Sequence, residues 1–476
     1  MKKWLAVLCT MLVCITLALP CAAEDAALET VPCESYVVMD ADTGQVLLER
    51  NPDDIKYPAS ITKIMTIALA LDKAQGDLDQ TLTVSFDAVH QLEARSSHIA
   101  LQEGEVVRLE DILYATEMES ANDGANVLAE FFGGDGTIQS GVDVMNAKAA
   151  ELGLSNTHYM NPHGLHNEQH YTTARDMANI TRWALTVPGF KEIFGRNDPW
   201  PMAPTNIQPV ERRFHNTDWM RISGAYYRDY AKGAKKGYHD QAKHTFVNYA
   251  EQDGIRLISV EMACPSSDEK FIAANMLLDY AFAHYRRVAL PAEDETFQVD
   301  LVGGGEPLGS VTVKPENTEI LLHDAFQPED VEVEYDVPDQ YLLGRPFAAT
   351  VNYHLKDNNL QPTDLGSRTM QVEGLPQVIQ SNTFIPQQPL TSEENSVGFA
   401  VAVGISVLVL LLAYHLLHRR NRRLARAARH RTGSGDWELL AQRPRPDAHP
   451  IYLGGEHRRI GRRNSRSRRR RRTRYR

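Results

Sequence analysis

The sequence predicts an α/β (α+β) fold: an antiparallel sheet with a helical subdomain inserted between its halves, then a small all-β domain and one C-terminal transmembrane helix. Three observations point there. Two short apolar runs, 35–40 and 45–50, flank an Asp- and Gly-bearing turn and read as a hairpin. Helical periodicity fills the middle of the chain, and three strand-like runs with one long helix follow it. From about residue 293 the texture changes to short alternating runs punctuated by Gly and Pro, ahead of an apolar stretch at 397–417.

At 476 residues the chain has room for more than one core. Its formal net charge of −12 hides a division, because residues 419–476 hold 21 basic and 4 acidic groups while the remainder holds 29 basic against 58 acidic. Parts so unlike in charge face different surroundings. Lys2 and Lys3, an apolar run and small residues at 21 and 23 predict a signal peptide over 1–23. Residues 397–417 suffice to cross a hydrocarbon core of about 30 Å. Arg419, Arg420, Arg422 and Arg423 follow at once, which sets the tail 418–476 on the cytoplasmic side. The expected location is therefore the cell membrane, single-pass, with the body extracytoplasmic, and the polar stretch 376–395 is expected as a stalk. The Arg-rich tail reads as a topology determinant with a solvated end, and no nucleic-acid partner is expected.

In the exported body the hairpin is followed by a helix beginning near Ser60. A helical pattern from about 109 to 128 breaks at 119–124. Another helix runs to Gly153, and a third opens at Thr172-Thr173-Ala174. Strands are expected over 232–238, 244–250 and 255–264, with a hairpin turn at Gln252-Asp253-Gly254, and a helix over 267–285 closes this domain. The domain boundaries read as 33–288 for the mixed domain and 292–375 for the all-β domain.

The chemistry starts at Tyr57-Pro58-Ala59-Ser60-Ile61-Thr62-Lys63. Pro58 favours an extended entry, and three residues are nearly one helical turn, so the Ser60 hydroxyl and the Lys63 ammonium share a face. A lysine takes a serine's proton only when burial or a neighbouring cation lowers its pKa. Alone the motif is weak. A second Ser-x-x-Lys occurs at Ser267 and Lys270, and either could be a capping serine with a solvated lysine.

Read together with Ser120-Ala121-Asn122 and Lys235-Lys236-Gly237, in that order, the motif gains weight. The chain resembles the serine-type D-Ala-D-Ala carboxypeptidases, the low-molecular-mass penicillin-binding proteins of β-lactamase/transpeptidase-like fold. The resemblance runs from about Ser35 to Leu375 and includes Val38-Met-Asp-Ala-Asp-Thr-Gly44, Asn161-Pro-His-Gly-Leu165 and Tyr171-Thr-Thr-Ala-Arg-Asp-Met177. It implies Ser60 as nucleophile, Lys63 as general base and Ser120 as proton relay to the leaving amine. Asn122, Lys235, Lys236 and Gly237 would bind substrate. The N–H of Ser60 and one after Gly237, about His239, would form the oxyanion hole. The implied partners are D-Ala-D-Ala stem peptides of peptidoglycan, with β-lactams as covalent inhibitors. No cofactor is implied. No metal-ligand cluster stands out, and His163, His166 and His170 read as loop histidines.

Lys236 departs from the pattern, since the family has a Thr there whose hydroxyl binds the terminal carboxylate; Lys243 and His239 also replace small residues. The alternative reading is thus a catalytically impaired, non-enzymatic cell-wall-binding protein. A β-lactamase is disfavoured because no Glu-x-x-Leu-Asn segment supplies a deacylating glutamate. Once 1–23 is removed, only Cys33 and Cys264 remain, as one bridge or two buried thiols. In the fold that the resemblance implies, first and last strands are neighbours, so a Cys33–Cys264 disulfide is expected.

Overall fold

The computed structural model describes residues 28–373, apart from 91, 94, 95, 291–294, 304, 305 and 343–348. The expected signal peptide, stalk, membrane span and basic tail lie outside the described residues. Among the described residues no helix is long and apolar enough to cross a membrane.

A continuous buried run builds β1 (Ser35–Asp40), and the adjacent buried Leu47 and Leu48 anchor β2 (Val46–Arg50), the two joined through a turn in which Gly44 has a φ of 81°. After the helices come β3 (Ala231–His239), β4 (Lys243–Gln252) and β5 (Ile255–Cys264). The β4–β5 turn places Asp253 and Gly254 at φ 50° and 80°, the left-handed pair a tight hairpin requires. The order in space is β2-β1-β5-β4-β3, antiparallel throughout. The first strand therefore pairs with the last, Val37 opposite Val260, and β3 is an edge.

Between the sheet halves lie α1 (Lys63–Ala74), α2 (Leu109–Met118), α3 (Asn122–Gly133), α4 (Ile138–Glu151) and α5 (Ala174–Ala184). Nearly every residue of α1 is buried, as its apolar run demands. α5 starts where Thr173 Oγ1 accepts from the Asp176 N–H at 3.0 Å. α6 (Ser267–His284) is capped the same way by Ser266 and packs on the opposite sheet face from α1. The expected break after α2 is real, and Ser120 sits in it at a φ of 56°.

The sequence reading ran α6 to residue 285 and began the all-β part at 292. The chain instead turns directly from α6 into β6 (Tyr285–Leu290), which pairs with β7 (Thr318–His323). Tyr285 Oη donates to the Leu47 carbonyl at 2.7 Å, so this residue is fixed by tertiary contact, not by helix propensity. Gln45 joins the two parts by a paired amide contact with Leu321, 2.6 Å to its carbonyl and 2.9 Å from its N–H. The β part has its own core, including Val299, Val311, Val351 and Leu365.

Cys33 and Cys264 are bonded, with Cα atoms 4.1 Å apart across 231 residues of chain. Both are buried beside α6. Replacing both by Ser should cost about 2–4 kcal/mol of stability, read as a lower thermal midpoint for the variant that reducing agent no longer changes.

Candidate active site

Ser60 sits in a 3-10 turn, Ala59–Thr62, that runs straight into α1. The extended entry expected at Pro58 does not occur: its φ and ψ are −74° and −28°, and the following Ala59 is left-handed at φ 50°. Nor does Ser60 cap the helix through its side chain. The turn is instead pressed onto edge strand β3. A Cβ added at Gly237 would lie 2.7 Å from the Ser60 nitrogen and 2.4 Å from Thr245 Oγ1. One added at Gly164, at φ 87°, would lie 1.8 Å from the Ala59 carbonyl oxygen. Glycines on both sides let the Ser60 turn close in.

Lys63 lies at the centre and has no solvent exposure. Its Nζ contacts Ser60 Oγ at 3.2 Å, Asn122 Oδ1 at 2.7 Å and the His163 carbonyl at 2.8 Å. Burial, then the Lys235 charge, holds its pKa well below the usual lysine value, against the pull of Asp123 and Glu117. A neutral amine has two hydrogens and one lone pair. Asn122 and His163 take the hydrogens, which leaves the lone pair for the Ser60 hydroxyl.

The Ser120–Asn122 loop is held from behind. The Asn122 N–H donates to the Ser97 carbonyl at 2.8 Å, while Asp123 accepts from the N–H groups of Ile99, Leu101 and Gly124. Ser120 Oγ is buried without a hydrogen-bond partner. Lys235 on β3 is buried too and donates to the Thr116 carbonyl at 2.9 Å and to the Glu117 carbonyl. Lys236, on the other face of β3, donates to the Thr217 carbonyl at 2.9 Å. Burial lowers the pKa of both lysines. His239 is half-buried at the mouth, its ring against those of Tyr57 and His166.

The structure thus gathers Ser60, Lys63, Ser120, Asn122, Lys235 and Gly237 around one locus, with Lys236 and His239 at its edges. Sequence reasoning missed four contributors: His163 by its carbonyl, Asp123, Glu117 and Asp218. Glu117 carried a signal, an acid on the buried face of α2 beside Leu113 and Thr116. The other Ser-x-x-Lys also brings its pair together, Lys270 Nζ donating to Ser267 Oγ at 2.9 Å. It stands on α6, across the sheet from the constellation. The loop histidines hold no zinc-like set: His170 Nε2 is 2.9 Å from Thr62 Oγ1, and the Met160 N–H donates to its Nδ1.

Residues 22–266 match the family described as D-alanyl-D-alanine carboxypeptidase. The chain belongs to that family. Membership makes it a serine-type carboxypeptidase. It is 29% identical over 309 residues to D-alanyl-D-alanine carboxypeptidase DacF of Bacillus subtilis, covering 64% of this chain and 76% of that one. To DacB2 of Mycobacterium tuberculosis it is 34% identical over 235 residues, 48% of this chain and 75% of the relative. Penicillin-binding protein 5 from Haemophilus influenzae superposes with a TM-score of 0.56 at 25% identity, over 72% of this chain and 96% of that structure. DacD from Francisella tularensis, at 22% identity and a TM-score of 0.54 over 72% and 93% of the two chains, shares the fold.

Three outcomes follow from the geometry. The acylation rate by a penicillin should rise with pH as Lys63 loses its proton, at a pH well below 10.5. Lys235→Ala should move that limb to higher pH, because removing a nearby cation raises the Lys63 pKa. Gly237→Ala should slow acylation by about 10²-fold, the cost of displacing a reacting group by some 1 Å, with circular dichroism unchanged.

Proposed function

We propose that this protein is a membrane-anchored serine D-Ala-D-Ala carboxypeptidase that removes the terminal D-alanine of peptidoglycan stem peptides through an acyl-enzyme on Ser60. The observation that carries the reading is the Lys63 amine, buried and committed to Asn122 and His163 so that Ser60 is its remaining partner. The membrane anchoring rests on the apolar run 397–417 and the arginines after it.

In this mechanism Lys63 takes the Ser60 proton as Oγ attacks the carbonyl of the penultimate D-alanine. The Ser60 N–H and one beyond Gly237 on β3 meet the developing oxyanion. Asn122 orients the substrate amide. As the C–N bond breaks, Ser120 passes a proton from Lys63 to the leaving amine, and free D-alanine departs. Water then attacks the ester, with Lys63 again as base. Lys235 lends positive field to the site. Lys236 faces the terminal carboxylate as a mobile ammonium in place of a fixed hydroxyl. β-Lactams, whose strained ring amide takes the place of the scissile peptide bond, acylate Ser60.

The second reading, a cell-wall-binding protein with impaired catalysis, is favoured by one specific observation: Lys236, in place of a short hydroxyl, directs one of its three N–H groups to the Thr217 carbonyl. A fluorescent penicillin decides between them. Labelling of the full chain that Ser60→Ala abolishes, confirmed by intact mass, is the expected result. Labelling in Lys236→Thr but not in the natural chain would establish the impaired reading instead.

A further inference from the structure

Beside Ser120 lies an open cavity of ≈ 240 Å³. Ser120, Lys235 and Lys236 line it, whereas Ser60, Lys63 and Asn122 do not. With Ser120 as the relay to the leaving amine, this is the leaving side of the site. Two acids in its wall are unsatisfied. Glu117 is 8% exposed and Asp218 5%, and Glu117 Oε2 and Asp218 Oδ2 are buried without a hydrogen-bond partner.

The neighbouring cations do not satisfy them. Lys235 gives its hydrogens to backbone carbonyls and stays 3.9 Å from Glu117 Oε2. Arg221 donates to the carbonyls of Phe194 and Gly195, and Lys236 to that of Thr217. Asp218 uses its other oxygen to accept from the Met220 N–H at 3.0 Å. Burial raises both carboxyls, Glu117 to about 7, which makes each a partner for a neutral donor more than a demand for a counter-ion. Orphaned buried acceptors of this kind call for an explanation.

Size and charge narrow the ligand. The cavity far exceeds an alanine methyl, since a water takes roughly 30 Å³ of liquid volume. The acids on its wall are Glu117, Glu119 and Asp218, and the cations are Arg196, Arg221, Lys235 and Lys236. Cations outnumber acids even with every carboxyl ionised, and the upward shifts of Glu117 and Asp218 widen that surplus, so a cationic side chain is repelled where a neutral donor is not.

We propose that this cavity is the subsite for the side chain of the residue that leaves, with Glu117 and Asp218 selecting a neutral hydrogen-bond donor, a hydroxyl or carboxamide, over a methyl. The proposal rests on the carboxypeptidase reading above. A site built to bond a donor discriminates against the analogue lacking it, because its own polar groups are then left bare.

The test uses the full chain in detergent and N-acylated peptides ending in D-Ala-D-Ala, D-Ala-D-Ser, D-Ala-D-Asn or D-Ala-D-Lys. Release of the free amino acid is followed by mass spectrometry, with fluorescent penicillin labelling of Ser60 alongside. The expected kcat/KM for the D-Ser or D-Asn peptide exceeds that for D-Ala by at least about fivefold, the worth of one restored buried hydrogen bond. Asp218→Leu should bring the ratio close to one. A natural chain that labels normally but prefers D-Ala, or prefers D-Lys, overturns the subsite and leaves the carboxypeptidase reading standing. A chain that neither labels nor releases any amino acid removes the reading beneath it. The ratio in the natural chain decides even where Asp218→Leu does not fold.

Discussion

Everything at the site depends on keeping one lysine dry. Lys63 has no exposure to water, and its three contacts are to oxygen atoms supplied by three separate segments: the Ser60 turn, the α3 start and the His163 loop. A desolvated ammonium is costly, so the protein gains by letting the proton go. What is a penalty for the resting fold is the source of basicity for the reaction. The surrounding segments are arranged to seal that amine: Thr66 donates to the Pro162 carbonyl at 2.6 Å, and the Asn161 side chain accepts from the Gly164 N–H at 2.7 Å, which fixes the loop carrying the His163 carbonyl.

A second buried lysine stands on β3. Burial lowers the Lys235 pKa too, while the carbonyls that end α2 accept from its ammonium. Backbone carbonyls at a helix C-terminus are natural acceptors for a cation. Lys236 faces away from Lys235, as strand alternation requires, and meets a different set of groups, Thr217 and the buried Asp218. Two adjacent lysines thus take different backbone partners while lining one cavity, and the charge at Lys236 bears on Lys235 as well.

Much of this was legible in the residues, and the limits are instructive. The hairpin at 35–50, the strands after 231 and the break around Ser120 follow from alternation, turn chemistry and periodicity. Ser60, Lys63, Ser120, Asn122 and Lys235 were found by motif and order. What escaped was set by tertiary contact. Pro58 is helical and Ala59 left-handed because Gly237 and Gly164 let two other segments crowd them. Tyr285 reads as a helical residue and becomes a strand because its hydroxyl reaches Leu47. Asp218 gave no sign at all, since nothing in its neighbourhood of sequence says that it will be buried beside β3. His239 was placed on the strand after Gly237, and its ring proves to face Tyr57 and His166 at the mouth.

The pairing of β1 with β5 has a consequence for how such a chain becomes an enzyme. Val37 meets Val260, so the central sheet is not complete until the 180 residues between Arg50 and Ala231 have been added. Contacts this distant are slow to form, because loop closure must come before they stabilise anything. Ser60 and Lys63 belong to the early half, whereas Lys235 and Gly237 belong to the late one. A chain emerging in order therefore carries Ser60 and Lys63 long before it carries the strand against which the Ser60 turn packs. The constellation is assembled only with closure of the sheet.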